Sequence, residues 1–509
     1  MEDDETGPAS TAAQTAGQPG AGDEPASVLE FGDHLLELER ARDAQNNANT
    51  RLPDGEAIAF RSMAIVEMYA GKAVDQLIAG LDAMEWMNTD EPVVDRIREA
   101  QKDRLYSRGV FWIVPPTSQG GSVLSHALTS LPTGIERIYA EYNVLGPSLV
   151  AFVLTFVLAA AEATSIDVAI REDAESQLDH LGPQSVSIGT VHDVKRARVR
   201  AAREDVTKRC RDWMIAMLPG TLSAVEEGLG PPTCALISLK QGTPFGTHAE
   251  YMTLVDLVND SLAERFVWPD CLYLAYPIDI SPNNRMTGAF NEGDALSQQW
   301  LHNVGAAPER FHQAISSLMI AYGVYAILRS YQPKLRDVRT SLNRLDFEKV
   351  TGPEVIALRS RLLGISRDVA TVSSDVSVLV NDAGAIWTDL LPMVPLGQSA
   401  SPSATPDATA AAKRHMLTST VASLQSEEAN LRELILVTSS STSEITGLDL
   451  QTKVLNLTNK LNGLTTWLII LTVVLVILGV ATLVVQLVHN PVVHVQFPTA
   501  PRPRVITGP

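Results

Sequence analysis

The three cysteines of this sequence are candidate zinc ligands. Cys210, Cys234 and Cys271 are separated by 24 and 37 residues, with His192 and His248 available as partners. Zinc sites of known types use closely spaced ligand pairs, and this spacing matches none of them. We therefore expect ordinary buried cysteines, with no metal and no other cofactor.

A polar loop near the middle of the chain offers oxygen ligands. Three of its residues occupy the first, third and fifth positions of a calcium loop: Asp279, Ser281 and Asn283. The sixth position is Asn284 where the loop needs glycine, and the twelfth is Phe290 where it needs glutamate, so the calcium signal fails. Glu292 and Asp294 could exchange protons with a substrate, but a solvated loop is the expected arrangement.

Sequence motifs of catalysis are absent: no zinc-protease, dinucleotide-binding, phosphate-loop, nucleophile-elbow or paired-cysteine motif occurs. We expect a protein that is not an enzyme. The alternative is a membrane-bound enzyme with a pocket in residues 110–330, where mixed helix and strand signals surround the polar loop 281–293.

A strongly basic helix is predicted over residues 191–218. Its apolar stripe includes Val199, Val206 and Cys210, and its cations lie mostly away from that stripe. The cations proposed to contact a membrane surface or a partner are Lys195, Arg196, Arg200, Arg203 and Arg211. A basic amphipathic helix can lie on an anionic bilayer. A solvated face with internal ion pairs is the simpler expectation.

Composition limits the class of partner. The chain has 509 residues, 40 Lys and Arg against 59 Asp and Glu, and a formal net charge of −19. So acidic a balance argues against a nucleic-acid partner, because such binding depends on neutralising phosphates. Three cysteines in this length also argue against a disulfide framework.

An apolar run near the carboxyl end, residues 464–488, contains no charged residue. About 20 apolar residues span the hydrocarbon core of a bilayer as a helix, so the run predicts one transmembrane helix. The residues expected to hold it in lipid include Leu464, Trp467, Leu468, Leu471, Leu475, Leu478 and Val488. The amino-terminal residues lack the basic start and apolar stretch of a secretory signal, so we expect the bulk of the chain to be cytoplasmic.

A helical stalk is predicted before this run, over residues 413–463. Steps of four and three residues separate the members of an apolar repeat: Leu450, Val454, Leu457 and Leu461. This is the a/d pattern of a coiled coil and favours a homo-oligomer. The alternative is that the helix packs back on its own domain.

The rest of the sequence predicts a mainly α fold: a multi-helix cytosolic domain with a small α/β insert, followed by the coiled-coil-like stalk and one transmembrane helix. The predicted segments are a disordered acidic tail (1–27), an N-terminal helical region (28–108), a mainly helical body (109–391) with its insert at about 233–280, a Pro/Ser/Ala linker (392–412), the stalk (413–463), the transmembrane helix (464–488) and a short Pro-rich tail (489–509). The uncharged segment 144–161 is expected to be a buried core helix, with a second membrane span as the alternative.

These features together predict a membrane-anchored tether or scaffold. It would bind membrane lipid and hold a protein partner or a large cytosolic complex at the bilayer. The layout resembles that of bacterial proteins that fasten phage-tail-like contractile injection systems to the membrane. That resemblance covers only the order of a large body, a linker and one carboxyl-terminal span. A membrane-perturbing effector is a further alternative.

Overall fold

The computed structural model describes most of the chain between residues 28 and 436, together with eight positions between 457 and 472. The described ranges are 28–87, 92–103, 106–117, 126–182, 185–224, 230–244, 250–257, 263–268, 272–277, 285–293, 307–344, 352–381, 386–390, 394–395 and 409–436. The chain divides into two compact units. One comprises Met1–Asp337 with Leu363–Ala429, and the other Val338–Leu362 with Asn430–Pro509.

A mixed sheet of eleven strands forms the centre of the first unit, in the order β13-β10-β11-β12-β9-β1-β6-β5-β3-β4-β2. Its strands are β1 (Ile58–Ala70), β2 (Glu85–Met87), β3 (Ser107–Val114), β4 (His126–Leu128), β5 (Ile135–Gly146), β6 (Leu149–Leu158), β9 (Thr233–Leu239), β10 (Ala263–Trp268), β11 (Leu272–Pro277), β12 (Arg285–Asn291) and β13 (Val394–Pro395). The pairs β9–β12 and β3–β4 are parallel, and the other pairs are antiparallel. A separate hairpin consists of β7 (Gln177–Gly182) and β8 (Ser185–Gly189).

The described part of the chain also contains helices. They are α1 (Val28–Arg40), α2 (Asp43–Asn49), α3 (Lys72–Asp82), α4 (Val93–Asp103), α5 (Ala160–Ala163), α6 (Ser165–Arg171), α7 (Val191–Met217), α8 (Glu250–Leu254), α9 (Ala307–Asn343), α10 (Gly352–Asn381), α11 (Ile386–Leu390) and α12 (residues 409–436). Residues of α3, α4, α6 and α7 join one face of the sheet in a single hydrophobic core. On the opposite face α9 lies close to β1, because a Cβ built on Gly323 would meet Met68 Sδ at 3.0 Å and Val66 Cγ2 at 3.2 Å.

The prediction of a mainly α fold is therefore wrong. Strand β1 occupies the centre of the region 28–108 that was expected to be helical, and its side chains are buried on both faces of the sheet. A strand with both faces covered has no alternation of apolar and polar residues, so its pattern cannot be told from that of a buried helix. The same cause explains why β4 and β5 lie in the region 109–391, which was expected to be mainly helical.

Segment 144–161 is neither a core helix nor a membrane span. It contains the end of β5, the whole of β6 and the beginning of α5. Gly146 and Pro147, which interrupt the apolar run in the sequence, lie at the turn between the two strands. Asp375 of α10 holds this turn, because the Ser148 N–H and hydroxyl both donate to Asp375 Oδ2, at 3.0 and 2.5 Å.

The predicted α/β insert at 233–280 is also not a separate element. Its strands β9 and β11 belong to the central sheet. Between them helix α8 ends at Leu254 and β10 begins at Ala263. Strand β9 pairs with β1 on one side and with β12 on the other, so it links the two halves of the sheet.

An ion-paired network joins the sheet to its helices. Arg108 of β3 bonds Glu141 of β5 at 2.9 Å and Asp389 of α11 at 2.7 Å. Ser317 of α9 also donates to Asp389, at 2.7 Å. Burial raises the pKa of Glu141, while Arg108 and the hydrogen bond from Asn143 oppose that shift. A buried carboxylate of this kind needs such partners, because leaving it unpaired would cost several kcal/mol.

The first part of the predicted stalk packs within its own unit. Lys413 of α12 donates to the Tyr322 hydroxyl of α9 at 2.7 Å, and Ser366 of α10 donates to Glu428. Val421 and Leu424, two apolar residues of the predicted stalk, are buried. For residues 413–429 the packed-back alternative therefore describes the structure. The linker 392–412 is only partly described, with β13 at its start and the first turn of α12 at its end.

Among the residues that the structure describes, no helix combines the length and the apolar character needed to cross a bilayer. The transmembrane helix predicted over 464–488 is therefore not part of the described fold, and most of that run lies outside the described residues. The tails 1–27 and 489–509 also lie outside them.

Replacing Gly146 by alanine should destabilise the hairpin turn. A Cβ built there would lie 2.6 Å from Asp375 Oδ1, so the helix or the turn must move. We expect the free energy of unfolding to fall by about 2–3 kcal/mol, measured by thermal or urea unfolding. Gly364→Ala in α10 is the matched control, because its Cβ would meet nothing within 4 Å. That variant should gain about 0.5–1 kcal/mol. Equal effects of the two substitutions would contradict the packing described here.

Candidate functional site

Helix α7 positions the basic residues that the sequence singled out. Its start is fixed by a capping box, in which the Thr190 hydroxyl accepts the Asp193 N–H and the Asp193 carboxylate accepts the Thr190 N–H. Val199 and Val206 anchor its inner face in the hydrophobic core. The helix predicted over 191–218 is thus present as Val191–Met217. Its basic residues divide into groups that point in different directions.

Three arginines of α7 converge on one carboxylate, that of Asp256 after α8. Arg196 Nη2 lies 2.7 Å from Asp256 Oδ1, and Arg200 Nη2 lies 3.8 Å from the same oxygen. Arg203 Nη1 lies 3.2 Å from Asp256 Oδ2. The spacing of four and seven residues places these side chains on one face of the helix. The structure therefore brings together three of the five predicted contact residues.

A fourth arginine joins them from the sheet. Arg285, at the start of β12, bonds Glu204 of α7 at 2.7 Å. Arg203 also donates to the Thr287 hydroxyl of β12 at 2.9 Å. We refer to Arg196, Arg200, Arg203 and Arg285, with the carboxylates of Asp256 and Glu204, as the arginine cluster.

Charge crowding is visible at the innermost member of the arginine cluster. Arg203 is 8% exposed. Burial lowers the pKa of its guanidinium, the Asp256 carboxylate opposes that change, and the positive charges of Arg285 and Arg200 add to it. The pKa of Arg203 is thus lowered mainly by burial, and the Asp256 carboxylate does not fully offset that effect.

Asp256 is held in an unusual backbone conformation. Its φ is 59°, and among the described residues it is the one non-glycine residue with a positive φ. Leu257 N–H donates to Met252 O at 2.9 Å and Asp256 N–H to Thr253 O at 3.4 Å, which is the Schellman ending of a helix. Glycine is the usual residue at this position because it adopts positive φ without strain. Asp256 therefore adopts a backbone conformation that is strained for a residue with a side chain.

Two of the predicted basic residues lie elsewhere. Lys195 is 1% exposed, and burial lowers its pKa, with Asp173 opposing and Arg198 and Arg51 adding to that shift. Burial also lowers the pKa of Arg211, and its Nε is buried without a hydrogen-bond partner. Neither residue bonds Asp256. A surface formed by all five cations on one side of α7 is therefore absent from the described structure.

Sequence reasoning missed Asp256, Arg285 and Thr287. They are 60 or more residues from the start of the arginine stripe and belong to a different helix and strand. No motif spacing joins them to α7, so pattern analysis had no signal for their contact with it.

The described positions of the predicted anchor and stalk are exposed. Leu457, Leu461, Leu468 and Leu471 are helical, with 54–64% of each side chain exposed. The remaining predicted anchor and stalk residues lie outside the described residues: Leu450, Val454, Leu464, Trp467, Leu475, Leu478 and Val488.

A second polar site lies at the carboxyl ends of the parallel strands β9 and β12, where α/β sheets commonly bind ligands. It is an open depression of about 540 Å³ lined by Lys240, Gln241, Thr243, Tyr273, Asn291 and Gly293. The neighbouring acid, Glu292, is bonded by Arg61 and by the Ser238 hydroxyl.

Those bonds decide the charge of Glu292. Burial alone would raise its pKa, but the hydrogen bonds from Ser238 and Arg61 and the charges of Arg61 and Lys240 outweigh burial and lower the pKa. Glu292 is therefore held as a charged structural partner, which does not favour the proton-exchange role considered for it. Asp294 and the loop 278–284 lie outside the described residues.

Metal-binding chemistry has no support within the described part of the chain, where no group of three or more His, Cys, Asp or Glu side chains could hold an ion. Cys210 and Cys234 are buried free thiols. Cys271 and His248 lie outside the described residues.

No protein-family model, no curated protein and no solved structure matches this chain. The arguments about function that follow therefore rest on the residues and contacts of this chain alone.

One further titratable group stands out by its burial. Glu67 of β1 is fully buried, and three backbone amides donate to its carboxylate: Met68 at 3.0 Å, Leu222 at 2.7 Å and Ser223 at 3.1 Å. Burial raises its pKa from 4.5 to about 7, against the opposing effect of these hydrogen bonds. The carboxylate holds the segment 220–223, which follows α7.

Glu67 should make the stability of the protein depend on pH. A carboxyl whose pKa is higher in the folded chain favours folding below about pH 4.5, and that contribution is lost as the pH rises through about 7. We expect a loss on the order of 3 kcal/mol across this interval. Urea unfolding of the protein and of Glu67→Gln, compared at each pH, isolates this contribution. Identical pH profiles for the two proteins would contradict the assignment.

Proposed function

We propose that this protein is a non-enzymatic scaffold attached to a lipid bilayer, and that it holds a protein partner or a large assembly there. The apolar run 464–488 provides the attachment, and the unit built on the central sheet provides the binding surface. Attachment raises the local concentration of whatever the folded part binds, so high intrinsic affinity is not required.

A stripe of exposed leucines carries this proposal. Leu457, Leu461, Leu468 and Leu471 follow a/d spacing on helical residues and are each more than half exposed. Four large apolar side chains on one stripe in water are unfavourable, because each loses about 1.5–3 kcal/mol of burial energy. Lipid can cover Leu468 and Leu471, which belong to the run 464–488. A second helix can cover Leu457 and Leu461, which precede the run.

The ion pairs and burial of the basic residues in helix α7 support attachment through the apolar run. Arg196 and Arg203 are ion-paired with Asp256, Arg209 with Glu162, and Lys195 is buried. Ion pairs and burial leave these four side chains less available to the general negative charge of a bilayer surface than free cations would be. Membrane attachment in this proposal therefore depends on the apolar run rather than on α7.

A cytoplasmic position for the folded part completes the proposal. Cys210 and Cys234 are buried and unpaired, which fits a reducing compartment. The assembly that the scaffold serves is one that must be fastened to a membrane, on the plan of the proteins that attach contractile injection systems. Affinity purification of the detergent-solubilised protein, with mass spectrometry of what accompanies it, identifies that assembly.

Removing residues 464–509 should release the protein from membranes. Without the run, no described element of the chain offers a comparable apolar surface to lipid, so we expect the truncated protein in the supernatant after ultracentrifugation of a cell lysate. Removing only residues 489–509 is the control and should leave it in the membrane pellet. Membrane retention of the longer truncation would refute the attachment. Digestion of the folded part by protease added outside intact spheroplasts would refute the orientation.

Self-association should depend on the leucine stripe before the run. We expect Leu457→Asp with Leu461→Asp to lower the oligomeric state of the detergent-solubilised protein, because charges at a and d positions disrupt helix packing. Thr458→Asp with Lys460→Asp is the matched control, since both residues are exposed and lie off the stripe. Light scattering or chemical cross-linking reports the oligomer. A monomeric wild-type protein, or equal loss in both variants, would contradict the prediction.

A further inference from the structure

We propose that the arginine cluster between α7, α8 and β12 is a binding site for a phosphate-class dianion. The inference stands apart from the scaffold role, because it concerns the unit built on the central sheet and does not use the apolar run 464–488.

The charges of the arginine cluster do not balance. The arginine cluster contains four guanidinium groups and two carboxylates, those of Asp256 and Glu204. Arginine stays protonated at neutral pH, so two positive charges in the cluster have no opposite charge within it. A dianion supplies the missing charge, and a phosphate monoester carries about −1.5 to −2 at pH 7.

Two arginines of the cluster have hydrogen-bond donors that are not used within the described part of the chain. Arg200 reaches Asp256 only at 3.8 Å, which is beyond hydrogen-bond length, and makes no hydrogen bond within the described part of the chain. The Nε of Arg196 is buried without a partner. An unpaired buried donor is costly, and a bound oxyanion removes that cost. Guanidinium groups present planar pairs of donors that match phosphate oxygens.

The arginine cluster is accessible to a ligand from the solvent. The side chains of Arg196, Arg200 and Arg285 are 37%, 50% and 41% exposed, whereas that of Arg203 is 10% exposed. Arg203, bonded to Thr287 and Asp256, forms the floor of the site, and the three more exposed arginines form its rim. Arg196 and Arg200 approach the same oxygen of Asp256, so their guanidinium groups lie side by side and can share one ligand.

Asp256 acts as a competing internal anion in this arrangement. It occupies the place between the arginines that a ligand oxygen would take, and it does so at the cost of a positive φ. Removing its charge should therefore strengthen anion binding. A residue that only stabilised the fold would have no such effect.

Two sources of phosphate share this chemistry: a free phosphate compound and the head group of a phosphatidic-acid type lipid. Isothermal titration calorimetry of the full chain in a non-ionic detergent, with inorganic phosphate and with dihexanoyl phosphatidic acid at matched ionic strength, separates them. Tighter binding of the lipid identifies a head-group site, and tighter binding of inorganic phosphate identifies a free-phosphate site. Both results support the proposal when binding is saturable.

Three variants test the residues. Arg200→Ala should weaken binding about tenfold, the value of one charge-assisted hydrogen bond. Arg198→Ala is the matched control on the same helix, because its guanidinium bonds the Asp173 carbonyl at 3.2 Å and lies 3.7 Å from Glu172, away from the cluster. It should leave binding unchanged. Asp256→Asn should tighten binding, and asparagine tolerates the positive φ.

Each contrary result would overturn the proposal. Equal loss in Arg200→Ala and Arg198→Ala would mean that anions respond only to overall charge. Weaker binding in Asp256→Asn would mean that the carboxylate does not compete with the ligand. Absence of saturable binding of both probes would mean that there is no site. Arg200 is half exposed and makes no hydrogen bond in the described structure, so Arg200→Ala is expected to fold, and its melting temperature checks this.

Discussion

Coverage of the central sheet on both faces is the constraint on which the rest of this structure depends. The middle strands must present apolar side chains in both directions, and β1 and β6 are buried along nearly their whole lengths. A charged group placed in such a layer must find partners inside it. Glu67 finds three backbone amides, and Glu141 finds Arg108 and Asn143. Each of these bonds also fixes a neighbouring segment: the residues after α7 in the first case, and through Arg108 helix α11 in the second.

Helix α7 lies at the boundary between this core and the solvent, and its basic residues are sorted accordingly. Val199 and Val206 face the core, Lys195 and Arg203 are buried at its margin, and Arg196 and Arg200 reach outward. Asp256 satisfies the inner arginine but cannot balance the whole set. The excess of positive charge, the unpaired Nε of Arg196 and the positive φ of Asp256 occur at one place. The positive φ belongs to the ending of helix α8, whereas the excess charge and the unpaired Nε are the features that we assign to a ligand.

The proposed scaffold role separates location from recognition. Location depends on an apolar run that needs no defined tertiary contact, because lipid accepts any sufficiently apolar segment. Recognition depends on the sheet and its helices, whose long-range hydrogen bonds give the unit a fixed surface. Residues 409–429 of helix α12 belong to that unit, which they contact through Lys413 and Glu428. The open depression beside β9 and β12 offers no free carboxylate among its described residues, since Glu292 is held by Arg61 and Ser238.

The sequence alone determined the features that depend on local pattern. It predicted helix α7 within one residue, because an apolar stripe of period 3.6 is a local signal, and it placed an α/β insert at about 233–280, the segment that contains β9. It also placed Arg196, Arg200 and Arg203 among the cations of that helix proposed to contact a membrane surface or a partner. Tertiary structure decided what surrounds these elements. Whether an apolar run is a strand or a helix depends on what covers its two faces, so β1 and the β5–β6 hairpin could be recognised only in the assembled sheet. Asp256 and Arg285 meet α7 across tens of residues, and no spacing in the sequence encodes that contact because it is created by the fold itself.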